Sequence, residues 1–420
     1  VASSWTDEGK CDQAFYSKIE SEYSSSYNSA DTALEIGTAA ELAAFAKFVN
    51  DGVSSGYPDY KNSHGFENKF VCLTDDIDLQ GVAPTVDYQN DGDDSFKVVL
   101  TGEVSNRWLP IGHNYDQKFQ GTFDGKNHSV LDIVSCSNYA IGLFGVTSGA
   151  TIQNVGVKDG FLCSSTASNS REAGMLVASA SGSKIQNCYC VKSEIYIAED
   201  SSFYLGSIGG DFNSSSVEAC YSNCNIFGCY PSQVYTSSHL CIGGILGDGN
   251  YSTTMISCNF SGKLYLYDKH GGNNSGLGGL LGRACTSNNS YYDKDVAGDL
   301  GEGGLTTAEF EQKLTEITDE NGDKMWFLAP GILDPRKTLH SSDFTFTLPE
   351  DLYYDGQGKV ITIKPKDGIT GIGAVTVKYY KVNSDGTLGD ASTTPPTDAG
   401  RYKIKFDVAG GTEYYSATDL

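Results

Sequence analysis

Gly142-Leu143-Phe144-Gly145, Gly174-Met175-Leu176-Val177, Gly206-Ser207-Ile208-Gly209, Gly243-Gly244-Ile245-Leu246-Gly247 and Gly278-Gly279-Leu280-Leu281-Gly282 are five versions of one glycine-flanked apolar segment. Their leading glycines lie 32, 32, 37 and 35 residues apart. About a dozen residues after each comes a second short strand pattern. These are Ile152-Gln153-Asn154-Val155-Gly156-Val157, Ile185-Gln186-Asn187-Cys188-Tyr189-Cys190, Val217-Glu218-Ala219-Cys220-Tyr221, Ile256-Ser257-Cys258-Asn259-Phe260 and Asn289-Ser290-Tyr291-Tyr292. Two landmarks recurring together mark a repeat architecture, and the absence of helical periodicity excludes helical solenoids. A propeller blade of ~40 residues needs four strands in a meander. Each unit here shows two strong strands and a weaker third, between Gly-, Ser- and Asn-rich turns. The pattern predicts an all-β chain built on a right-handed parallel β-helix, with like residues stacked ~4.8 Å apart. Val155, Cys188, Cys220 and Cys258 then form an internal ladder, and Cys190 faces the same way as Cys188.

Outward from the repeats, the chain divides into three. Residues 1–30 are polar, rich in Ser and Tyr, and read as a loosely ordered lead-in. Residues 31–341 form the solenoid with its capping helices. The first helix runs Thr38–Asn50, with Thr38 and Glu41 making a capping box and Leu42, Phe45, Ala46 and Val49 an apolar stripe. It is the only convincing helix before residue 300. Lys69–Thr74, Asp75–Leu79, Trp108–Gly112 and Phe119–Gly125 read as strands and turns. Gly304–Phe310 opens a second helix, capped by Thr306 or Thr307 and running to about Glu316, before a segment with Trp326 and Phe327. Caps are required because an open solenoid end exposes core and strand edges. Residues 342–420 alternate as half-buried strands at Phe344–Phe346, Val360–Ile363, Ala374–Tyr380 and Tyr402–Val408. Turns at Asp355-Gly356, Asp385-Gly386 and Ala399-Gly400 separate them, which predicts a small antiparallel, immunoglobulin-like β-sandwich.

Composition narrows the function classes. Glycine is 49 of 420 and proline only 10, which suits short strands and tight turns. The net charge is −24 and no Lys/Arg-rich run occurs, so nucleic-acid and anionic-lipid partners are not expected. No apolar run approaches the ~20 residues that span a bilayer. The chain starts at Val1, as a processed product would, so secretion is inferred from other features. Of the twelve cysteines, most read as buried small apolar side chains, with a few disulfides that could include Cys11.

These segments resemble the GLUG motif of bacterial surface proteins, found also in some immunoglobulin-A peptidases and adhesins. Gly142–Gly145 and Gly278–Gly282 match best; Met175-Leu176-Val177 and Ser207-Ile208 depart from the motif. The resemblance spans about residues 35–330. Residues 343–420 are similar to immunoglobulin-like modules of surface proteins, through Tyr354-Asp355-Gly356 and Asp398-Ala399-Gly400-Arg401-Tyr402. Such modules usually add a strand after a stretch like Tyr414-Tyr415-Ser416-Ala417, so a truncated module is expected here. The resemblance implies extracellular display and adhesion and supplies no ligand.

Chemistry is sparse. The histidines are 64, 113, 128, 239, 270 and 340, and none has the His-Glu-x-x-His spacing of a zinc peptidase. Asp211, Glu218 and Asp248 are carboxylates available to a glycosidase, without a periodic pairing. Asp75, Asp76 and Asp78 could hold Ca²⁺ but read as a solvated strand face. Cys220, Cys224 and Cys229 lack metal-ligand spacing. Tyr189, Tyr204, Tyr221, Tyr235, Tyr251, Tyr265 and Tyr267 lie in or between coils, as packing or as ligand platforms.

The expectation is a monomeric, non-catalytic module at the bacterial surface, without cofactor, metal or an assigned ligand-binding residue. Its ligand would be a glycan or a protein of the host or bacterial surface. The alternatives are a β-helix polysaccharide lyase or glycosidase, and the non-catalytic portion of a larger secreted peptidase. An acidic cluster lying with Lys, Arg or His in a groove along one face would raise the enzyme alternative.

Overall fold

The computed structural model describes residues 4–5, 10–54, 61–90, 96–136, 140–164, 171–198, 201–230, 239–268, 274–283, 285–314, 326–329, 332–335, 339, 341–349, 356–367, 369–383, 387–409, 417–418 and 420. Contacts divide the chain into two units, Val1–Glu311 and Gln312–Leu420. The first is a parallel β-solenoid. Its longest sheet stacks Leu34–Ile36, Phe70–Leu73, Thr122–Asp124, Thr151–Gln153, Lys184–Gln186, Ser216–Glu218, Thr254–Ile256 and Thr286–Asn288, every neighbour parallel.

Each coil has more strands than its sequence shows. One repeat contributes Phe144–Ser148, Thr151–Gln153, Gly156–Lys158, Phe161–Ser164 and Arg171–Gly174. What reads as a single strand over residues 152–157 is two strands meeting at a corner. Asn154 sits there at φ 53°, and Asn187, Ala219, Ser257 and Asn289 repeat the corner at φ 52°, 51°, 54° and 49°. A single left-handed residue bends the chain, so Ile152 and Val155 both turn inward although three positions apart. Asn tolerates that conformation; Ala219 adopts it against its intrinsic preference. The corner side chains also stack, Asn187 Nδ2 donating to Asn154 Oδ1 at 3.3 Å and Asn154 Nδ2 to Asp124 Oδ1 at 3.0 Å.

The expected internal ladder is present. Val155, Cys188, Cys220 and Cys258 are fully buried. Tyr189, Tyr221 and Asn259 donate their N–H groups to the carbonyls of Val155, Cys188 and Cys220, one coil per rung. Cys190 is buried in the neighbouring column with Val157 and Ser222. Cys11 is buried and unbridged. The disulfide joins Cys136 to Cys163, whose Cα atoms lie 4.9 Å apart on adjacent coils. In-register stacking alone brings two like-placed cysteines within bridging distance.

The N-terminal end departs from expectation. Within the supposed lead-in, Gln13–Glu22 is a helix whose Phe15 N–H donates to the Asp12 carboxylate at 2.9 Å. It buries Phe15 and Ile19, two apolar residues one turn apart, and lays Tyr16 and Tyr23 on Phe48 at 5.8 and 5.0 Å. A tertiary partner makes this short stripe sufficient. The helix Ala39–Asn50 carries the expected Thr38–Glu41 capping box. Its Phe45 meets Phe66, Phe119 and Phe123, closing that end of the core. At the other end Gly304–Leu305 adds a last parallel strand. The helix from Thr307, with Thr306 exchanging hydrogen bonds with Glu309, buries Phe310.

The second unit is a small antiparallel, sandwich-like region. Phe344–Thr347 pairs with Thr362–Pro365, and Val375–Val382 lies between Leu388–Ser392 and Tyr402–Val408. Phe344, Ile363, Phe406 and Val408 form its core. The turns expected at 355 and 385–386 lie in whole or part outside the described residues, as do Tyr354 and Tyr414–Ser416.

Candidate functional site: a row of carboxylates along the solenoid

The glycine-flanked segments are the apices of a V. In each coil a strand runs in to the apex and the next runs back out, while Leu143, Leu176, Ile208, Ile245 and Leu280 fill the core between them. Glycine is required at the fold. A Cβ on Gly174 would lie 2.2 Å from the Val177 carbonyl oxygen, and one on Gly243 2.0 Å from that of Leu246. Past the apex the strands stay backbone to backbone, since a Cβ on Gly210 would lie 2.8 Å from Ala173 N and one on Gly247 2.4 Å from Leu205 N.

Beyond the glycines, side chains face each other across the V. One wall carries Ala140, Glu172, Tyr204, Cys241 and Gly276 in register. The other carries Val146, Ser179, Asp211, Asp248 and Arg283. The walls touch at the first coil, where Ala140, Val146 and Ala178 pack together. Four coils therefore place three carboxylates and one guanidinium in facing rows along the solenoid.

Asp248 is fully buried, and Arg283 reaches back one coil to bond its Oδ2 through Nε at 3.1 Å and through Nη2. The guanidinium also meets His239 Nδ1 at 3.1 Å and lies 5.7 Å over the Tyr204 ring. The Asn250 amide nitrogen donates to Asp248 Oδ2 at 3.0 Å and to Asp211 Oδ1 at 3.3 Å, bridging the two carboxylates. Asp248 Oδ1 is buried without a hydrogen-bond partner. The Tyr115 hydroxyl donates to Glu172 Oε1 at 3.0 Å. Burial, and then the Asp211 charge, push the Glu172 carboxyl up to about 7. Burial, and then Asp248, push Asp211 up to about 6. Hydrogen bonding to Asp248 raises the Arg283 pKa and keeps it charged.

The sequence named Asp211 and Asp248 without seeing that they pair; they are register partners on adjacent coils. Glu218 lies elsewhere, 3.5 Å from Lys184. Glu172 and Arg283 were missed. Counting from the leading glycines would have found both: Glu172, Tyr204 and Cys241 stand two before theirs, and Asp211, Asp248 and Arg283 five after.

The other candidates disperse. Asp75 and Asp78 accept from the nearby N–H groups of Asp76 and Gln80, while Asp76 accepts from Ser129 N–H. Among the described residues no group of three His, Cys, Asp or Glu is placed to hold a metal ion. Of the tyrosines, Tyr189 and Tyr221 are buried and hydrogen-bonded to Ser129 and Ser261. Tyr251 and Tyr265 are exposed, and Tyr265 ends a stack with Phe161, Tyr196 and Phe227. Tyr235 and the Tyr267 side chain lie outside the described residues. No helix among the described residues is long and apolar enough to cross a membrane.

Fold and site together define a parallel β-solenoid with a row of carboxylates along one side. No family model matches the chain, and no curated protein does. Among solved structures it is similar to a putative immunoglobulin A1 protease from Bacteroides ovatus, at 16% identity and a TM-score of 0.47. That alignment covers 74% of this chain and 94% of the other. A likeness this slight carries no argument about function.

Proposed function

We propose that the chain is a non-catalytic binding or display module of a bacterial surface protein, working outside the cell on a glycan or protein ligand. The observation that carries this is the row of polar side chains, Glu172, Asp211 and Asp248, that successive coils place along one side of the solenoid. Asp248 is tied to Arg283, and Glu172 and Asp211 accept hydrogen bonds from Tyr115 and Asn250. Such a row is suited to accept hydrogen bonds and positive charge. The Cys136–Cys163 disulfide suits an oxidising compartment. Display is further supported by the resemblance of the glycine segments to the GLUG motif and of residues 343–420 to immunoglobulin-like modules.

A second reading, a carbohydrate-active enzyme, draws on the same row, because it gathers carboxylates with Arg283 and His239 along one face. A glycan array and host-cell binding, run beside a reducing-end assay on polysaccharides, separate the two. Saturable binding without new reducing ends is expected. Sugar release that Glu172→Gln abolishes would replace the first reading with the second.

A further inference from the structure

Cys190 and Cys224 stand one coil apart in the solenoid core, and both are fully buried. Cys190 is the register partner of Ser222, and its carbonyl takes the Asn223 N–H at 3.1 Å. The chain then turns between two strands, Tyr221–Ser222 and Asn225–Tyr230. From that turn the Cys224 thiol donates to the same Cys190 carbonyl at 3.4 Å. The two side chains therefore meet inside one corner, and their thiols hydrogen-bond each other. The ladder beside them differs. Cys220 hydrogen-bonds both Cys188 and Cys258, so its middle thiol has no single partner.

The chain itself shows that stacked coils bridge. Phe161 and Leu162 pair with Val134 and Ser135, which sets Cys163 beside Cys136, and those two are joined. We propose that Cys190 and Cys224 form a second inter-coil disulfide, inside the core where the first lies on the outer face of its sheet. The two thiols give up two hydrogens and one S–S bond forms. A small disulfide such as glutathione disulfide takes both electrons and both protons and becomes two thiols. Conditions that oxidise Cys136 and Cys163 supply such an oxidant. Exchange runs through a thiolate, and burial pushes the Cys190 thiol up, so in the finished coil it is a poor nucleophile. The bond therefore forms while the two coils are closing. It ties positions 34 apart in sequence across the middle of the solenoid and restricts the unfolded chain.

For the test, the full chain is reduced, unfolded and refolded in a mixture of reduced glutathione and glutathione disulfide. Ten cysteines lie outside the first bridge, so a second leaves eight thiols to be counted in denaturant. With those thiols capped, tryptic cleavage after Lys184 and Lys192 should release residues 185–192 joined to the fragment that carries Cys224. The link should vanish in Cys190→Ser and in Cys224→Ser, and persist in Cys188→Val and Cys220→Val. These replacements fit the core, because Ser222 and Ser193 already stand level with Cys190 and Cys224, and Val155 stands in the ladder. The oxidised chain should also melt several degrees above the chain refolded under reduction, and Cys190→Ser should narrow that gap. Ten thiols after oxidative refolding would overturn the proposal. So would a link that disappears in Cys188→Val or Cys220→Val, or a melting gap that Cys190→Ser leaves unchanged.

Discussion

Cys220 sits between Cys188 and Cys258, one strand spacing from each, with its thiol donating to the Glu218 carbonyl at 3.3 Å. The same ladder begins at Val155 and ends at Ser290, whose hydroxyl donates to the Asn288 carbonyl at 3.0 Å. Valine and serine are therefore already accommodated at equivalent rungs, by volume and by local hydrogen bonding respectively. Cys220→Val and Cys220→Ser should each cost less than about 1.5 kcal/mol, whereas Cys220→Leu should cost about 1–3 kcal/mol by crowding the rungs above and below. Urea unfolding midpoints decide it, and a Leu variant as stable as the Val one would show the ladder to be loosely packed. Burial pushes the Cys220 and Cys258 thiols up, in keeping with filling space and not with reactivity.

The paired strands that carry the carboxylate row have a pH dependence of their own. Glu172 titrates near 7 in the fold, against about 4.3 when unfolded. Between those values the folded state holds the proton more firmly, so the contribution is full below pH 4 and is lost as pH rises through 7. The melting temperature should fall from pH 5 to pH 8, and Glu172→Gln, which has no proton to lose, should fall less. An identical slope in both proteins would mean that Glu172 is not held away from water by the Tyr115 loop and the second wall. The glycine apex is the part of this element that sequence announces, because a Cβ there has nowhere to go. The facing of Glu172 toward Asp211 is not announced, since it depends on how tightly the two strands fold back.

For the solenoid as a whole, stability is a sum over coils and their interfaces, so a coil can be removed if register survives. Gly174 and Gly206 are register partners. Deleting residues 174–205 therefore joins Ala173 to Gly206 at the matching point of the next coil. The shortened chain should still melt in a cooperative transition, at lower temperature, by circular dichroism. Deleting only 174–189 joins one strand to another of different facing, sends inward residues outward, and should abolish the transition. If both deletions fold equally well, stacked columns do not hold the unit together.

By itself the sequence determined that the chain is a parallel stack, because any residue facing the axis must be apolar or small in every coil and so recurs at a fixed spacing. It also determined the capping box at Thr38 and Glu41, the ladder from Val155 to Cys258 and the glycines of the apex, all of which are local in chain or repeated along it. Tertiary structure alone decided the corner at Asn154, where one left-handed residue splits an apparently continuous strand. It also decided the Gln13–Glu22 helix, which exists through its packing on Phe48, and the partner of Cys163. The carboxylate row belongs with these. Glu172, Asp211, Asp248 and Arg283 stand in four different coils, and charge, burial and hydrogen bonding act between them only once the coils are laid one upon another.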